Sequence, residues 1–227
     1  MIFTYSPNWY RPQCVHLTGD CLLYASNYSL YECGAEGGGV RREVCFRELA
    51  VAYGLNHRDI KINAIAEVGQ CVLVGVNQPC LFTLDRETLR PLQATKLDGF
   101  ASVEYLHAYE ETGENVAVVC NRDGAMVKVY LGQPQMPLLP ISHKIKPSPV
   151  KAIYRLNQSH CAVVFTRGTL LIYDANFNQL LKNVQISSHD TVYAVDCLAV
   201  GAHTHCCFLT RNKDSHTLTV FRLSLDH

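Results

Sequence analysis

The chain lacks any run of about 18 apolar residues, so no helix of it is expected to span a bilayer. It lacks an excess of either charge: Lys plus Arg number 20 and Asp plus Glu number 20. That balance argues against strong, salt-dependent attachment to nucleic acid or to an anionic membrane surface. Its first residues, Met1-Ile2-Phe3-Thr4-Tyr5-Ser6-Pro7, do not place a basic segment before an apolar one, and they do not read as a secretory signal. The expected location is the cytoplasm, with the nucleus as the alternative. The 11 cysteines then read as reduced thiols.

Reactive motifs are missing too. No Cys-x-x-Cys occurs, and structural zinc sites usually show two close ligand pairs. His203-Thr204-His205-Cys206-Cys207 is the one dense cluster, and it reads as a polar turn leading into a buried strand. His160-Cys161 are neighbours that would face opposite sides of a strand, so they do not make a catalytic pair. No Gly-x-Ser-x-Gly, P-loop or dinucleotide fingerprint is present. Gly37-Gly38-Gly39 lacks the Lys-Ser/Thr of a phosphate loop, and Glu110, Glu111 and Glu114 read as a solvated hairpin tip. These absences predict no catalytic residue, no cofactor and no metal, and a protein that is not an enzyme.

What is present is a repeat. Cys71-Val72-Leu73-Val74, Val116-Ala117-Val118-Val119, Cys161-Ala162-Val163-Val164 and Cys206-Cys207-Phe208-Leu209 each begin 45 residues after the last. Around each run lie further short strand patterns closed by turn residues. Cys71–Val76, Asn77-Gln78-Pro79 and Cys80–Asp85 are copied by Cys161–Phe165, Arg167-Gly168 and Thr169–Asp174. Asp123-Gly124 is a hairpin signal, and the prolines at 134, 137 and 140 suit a loop and an edge strand. No sustained 3.6-residue period appears.

A period near 45 built from short strands is what stacked four-stranded blades produce. The fold class is therefore all-β, a β-propeller of about five blades or part of a larger ring. A single domain is expected over 1–227, with repeats near 12–50, 60–98, 100–147, 150–187 and 190–227. Residues 1–6 would supply a ring-closing strand.

The period, the strand layout and the repeat-end pairs Leu84-Asp85 and Tyr173-Asp174 resemble divergent repeats of the WD40 type over about residues 12–227. The usual Gly-His pair and Trp-Asp dipeptide are absent, and the only Trp, Trp9, lies outside the repeats. In that family the repeat-end Asp bonds an upstream His; His143 and His189 are the residues placed to reach a following blade. Degenerate propellers of this kind resemble those of vesicle-tethering, coat and lysosome-related-organelle complexes, and of some nuclear scaffolds.

The resemblance implies a protein–protein interaction scaffold, a subunit of a multi-subunit intracellular complex in vesicle trafficking or tethering. The alternative is an adaptor or scaffold in a nuclear or ubiquitin-ligase complex; a propeller-type enzyme is the distant third. Partners would be other protein subunits, with membranes reached only through them. Candidate partner-binding residues are Trp9, Tyr10 and Phe177, aromatics in predicted loops, and the basic residues Arg41, Arg42, Lys144 and Lys146. Arg47 joins the Arg41-Arg42 cluster. Tyr24, Tyr28 and Tyr31 of the irregular first repeat read as ordinary packing.

Overall fold

A computed structural model describes residues 14–18, 21–34, 39–133, 137–143, 145–186, 191–200, 203–211 and 215–223. Strands dominate it, in five antiparallel sheets. The first sheet holds β1 (Cys14–Thr18), β2 (Cys21–Ser26), β3 (Ser29–Gly34) and β4 (Val40–Cys45). The second holds β5 (Ile62–Val68), β6 (Cys71–Val76), β7 (Cys80–Asp85) and β8 (Pro91–Lys96). The third holds β9 (Tyr105–Glu111), β10 (Glu114–Cys120), β11 (Met126–Tyr130) and β12 (Leu138–Ile141). The fourth holds β13 (Val150–Arg155), β14 (His160–Phe165), β15 (Thr169–Asp174) and β16 (Leu180–Gln185). The last holds β17 (Thr191–Val200), β18 (His203–Arg211) and β19 (His216–Leu223), three strands among the described residues. In every sheet the strands neighbour one another in chain order.

The four periodic runs are the second strands β6, β10, β14 and β18. Continuous apolar sequence suits them because both faces are covered: Val72, Leu73 and Val74, like Ala162, Val163 and Val164, are fully buried. First strands alternate instead, as β5 does with every second residue buried. Fourth strands are mostly exposed, and Pro140 sits in one of them, at a sheet edge where its missing N–H costs no ladder bond.

Irregularities repeat as well. A register shift falls between Ile62 and Ala64, between Val150 and Ala152, and between Val192 and Ala194. Each is a bulge near the start of a first strand.

The first repeat differs from expectation. Strands alone were expected there, but β4 ends at Cys45 and a helix follows, α1 (Phe46–Ala52). Phe46 and Ala50, four apart on one helix face, are fully buried, and Phe46 meets the ring of Phe82 edge-on at 5.1 Å. The chain then crosses to β5 through a 3-10 turn, His57–Asp59.

The chain packs as two compact units. One comprises residues up to Val119 with Lys128–Leu138; the other comprises Cys120–Val127 with the residues from Leu139 on. Phe46, Phe82, Val72 and Val74 anchor the core of the first, and Phe208, Ile172 and Val164 that of the second. In the first unit the inner strands β1, β5 and β9 follow side by side. Among the described residues no helix is long and apolar enough to cross a membrane.

Candidate interaction surface

A groove of about 500 Å³ in the first unit opens at the β2–β3 turn. Three segments meet there. Asn27 takes a positive φ of 53° in the turn. Its carbonyl accepts from the Ile62 amide at 2.8 Å, and the Tyr28 carbonyl accepts from the Phe46 amide at 2.8 Å. These two bonds hold the starts of β5 and α1 against the turn.

Residues 56–61 are held just as firmly. Asn77 accepts from the Lys61 amide at 2.8 Å and donates to the Asp59 carbonyl at 2.7 Å. Gln78 accepts from the Asn56 amide at 2.9 Å and donates to its carbonyl at 2.7 Å. A fixed backbone thus presents Arg58, Asp59 and Lys61 to solvent. Across from them the Arg47 guanidinium lies 3.8 Å from the centre of the Tyr28 ring, a cation–π contact that orients it.

A second cleft, about 380 Å³, is lined by the inner strands and includes Cys14, His16, Asn63, Glu67, Glu104 and His107. Burial pushes the Cys14 thiol up to about 12, with a backbone bond to Ala25 pulling weakly the other way, so it stays protonated at neutral pH. His16 Nε2 stands 3.8 Å from Glu67, beyond hydrogen-bond reach. Glu67 accepts instead from Arg86 at 2.8 Å.

Arg86 also donates to Glu32 at 3.3 Å, and Glu32 pairs with Arg42. Glu32 is almost wholly buried, its side chain 1% exposed. Burial opposes its charge, but hydrogen bonds from Arg42, Cys21 and Arg86 outweigh that and hold its carboxyl below the usual range. The result is a charged tie between the first and second sheets.

The sequence-predicted residues meet different surroundings. Arg41 is exposed and reaches Cys21 Sγ at 3.7 Å. Arg42 is spent on Glu32. Lys146 is exposed, and Trp9, Tyr10 and Lys144 lie outside the described residues. Phe177 corrects the expectation of an exposed loop aromatic: it is 3% exposed. The turn after β15 needs a positive φ there, 58°, and this folds the ring back onto Tyr173 at 5.5 Å.

Glu111 is a second correction. It is buried, not at a solvated tip, and accepts from Lys128 at 2.9 Å and from the Tyr130 hydroxyl at 3.0 Å. Asp85 and Asp174 bond within their own turns, to Thr88 and to the Gln179 amide; His160 is the direct cross-strand partner of Asp174, but its ring bonds Asn157 Oδ1 at 3.1 Å. His143 does touch the next sheet: its Nε2 bonds the Gly124 carbonyl at 2.9 Å while its ring meets Phe165 edge-on at 5.4 Å. His189 lies outside the described residues. Tyr24 and Tyr31 stack at 5.0 Å, as ordinary packing predicts.

Tyr28 with Arg47, and Arg58 with Lys61, were missed as a group. The one signal was the basic character of Arg58-Asp59-Ile60-Lys61 just ahead of a strand.

No family model matches the sequence. No curated protein matches it either. Solved structures do resemble it. The Cps50 (Swd1) β-propeller domain of Myceliophteria thermophila superposes with a TM-score of 0.66 at 14% identity, over 93% of this chain and 71% of that one. BBS1N, crystallised in complex with ARL6DN, gives 0.64 at 13% identity over 92% and 66%. The computationally designed protein Ika8 gives 0.62 at 17% identity over 92% and 57%. The chain therefore spans between 57% and 71% of the chains it resembles. Sheets of antiparallel strands in chain order, a 45-residue period and these likenesses together establish the β-propeller fold.

Proposed function

We propose that this chain is a non-enzymatic docking subunit of a multi-subunit intracellular complex. One observation carries the reading: in the inner-strand cleft the Cys14 thiol is held protonated and Glu67 is paired with Arg86, whereas Arg47 and Arg58, with no carboxylate partner among the described residues, and the Tyr28 ring are presented on a fixed groove. A rigid rim of Arg and Tyr is the composition of protein-binding surfaces. A propeller of similar fold, BBS1N, is itself found in a complex. The setting we favour is vesicle trafficking or tethering in the cytoplasm.

Purification of the tagged chain from its native cells, with cross-linking and mass spectrometry, tests this. Stoichiometric protein partners in a large assembly, enriched with vesicle membranes, are expected. Partners that fractionate with chromatin would move the setting to the nucleus. A chain that purifies alone would sink the docking role.

A further inference from the structure

We propose that the groove at the β2–β3 turn binds an acidic segment of a partner protein through Arg47, Arg58 and Lys61; this rests on the docking role above. Three cations line the groove against one carboxylate, Asp59. Asp59 stands 3.7 Å from Lys61, and both side chains are more than half exposed. Among the described residues neither Arg47 nor Arg58 has a carboxylate within ion-pair distance. Neither guanidinium is therefore committed to an anion, while the backbone carrying them is held by Asn77, Gln78 and the β2–β3 turn. A site fixed before its ligand arrives loses less entropy on binding.

Planar guanidiniums favour bidentate carboxylates. An apolar foothold adjoins them: Val51 follows Arg47 by one helical turn on the same face of α1 and is 61% exposed. The fitting ligand is a segment in which carboxylates alternate with apolar side chains.

A fluorescein-labelled peptide of alternating Glu and Leu is the probe, read by anisotropy against a peptide of alternating Lys and Leu. The acidic peptide is expected to bind and the basic one not. The double variant Arg47→Glu, Arg58→Glu should weaken binding at least about tenfold, and Asp59→Asn should tighten it several-fold by removing the only opposing charge. Added salt should weaken all of it. Equal binding by the double variant would overturn the site, as would preference for vesicles of phosphatidylserine over the peptide. A wild-type chain that ignores the peptide but keeps its stoichiometric partners overturns the groove alone. One that keeps neither overturns the docking role beneath it.

A different observation in the last sheet points to a reversible disulfide. Cys197 of β17 and Cys206 of β18 are direct cross-strand partners, and their sulfurs lie 2.6 Å apart. Directly opposed antiparallel residues have Cα separations within the range a disulfide requires. Either thiol can donate to the other across this contact.

With glutathione disulfide as oxidant, Cys197, the partly exposed thiol of the pair, loses its proton, attacks one glutathione sulfur and releases a glutathione thiolate. Deprotonated Cys206, buried beside it, then attacks the Cys197 sulfur of the mixed disulfide and releases the second glutathione thiolate. Two protein thiols are oxidised, two glutathione thiols are formed, and the two protons pass to them. Alkylation and peptide mapping after such treatment should show a linked 197–206 pair that reductant opens and Cys197→Ser prevents. Full alkylation of both residues, or a link to Cys207 instead, would overturn it.

Discussion

Glu32→Ala is expected to destabilise the chain by about 3–5 kcal/mol, the usual cost of breaking a buried ion pair from one side. The buried carboxylate accepts from Arg42 and, at 3.3 Å, from Arg86. Without it Arg42 loses its partner, and Arg86, 17% exposed, is left with Glu67 alone. The cost is the desolvation of cations that lose all or part of their compensating negative charge, and the urea midpoint should fall accordingly.

The same carboxylate sets an acid limb. Its folded value lies below the ordinary 4.5. Its contribution is thus complete above about pH 4.5 and is lost as pH falls below that value, through the folded one. Glu32→Gln should flatten stability against pH in that window. A variant as stable as the parent, with an unchanged acid limb, would show that the charged tie contributes nothing.

Gly124→Ala should cost at least about 3 kcal/mol. Two terms add. A left-handed backbone, φ 85°, costs a side chain about 1–2 kcal/mol. The added Cβ would also stand 2.1 Å from the Ser148 carbonyl oxygen and 3.0 Å from the Phe165 ring. Ser148 is backbone and cannot swing aside. Its amide already donates to the Asp123 carbonyl at 2.9 Å, and the Gly124 carbonyl carries His143. Making room therefore breaks bonds of about 1 kcal/mol each.

Gly113→Ala is the control: the φ is nearly the same, 81°, but nothing lies within 4 Å of its Cβ. It should cost only the backbone term, about 1–2 kcal/mol. Thermal melts followed by circular dichroism separate the two. Equal losses would mean the close approach has no energetic weight.

These residues also show what a sequence can carry. β6, β10, β14 and β18 were legible because a strand covered on both faces must be apolar throughout. Helix α1 was not. Seven residues are too few to display a 3.6 period, and its N-cap, Cys45, makes no side-chain capping bond that would mark the start. Phe177 was placed correctly in a turn, but exposure does not follow from that, since a positive φ sent the ring inward.

The groove was the least legible part. Asn27, Arg47 and Arg58 belong to segments that only backbone bonds bring together, from Phe46 to Tyr28 and from Ile62 to Asn27. Backbone bonds leave no trace in side-chain pattern. Glu32 and Arg42 sit on adjacent strands, close enough in sequence to be guessed as a pair; Arg86, across a sheet boundary, was not.

The repeated bulge has a practical corollary for labelling. Residues 63, 151 and 193 are the extra ones, with no opposite number on the neighbouring strand. Asn63 has found other work, donating to the Val103 carbonyl at 3.2 Å, and Tyr193 rests against His216. Lys151 is exposed and holds no such contact. A fluorophore or affinity handle attached there would ride on a rigid strand without disturbing any ladder bond.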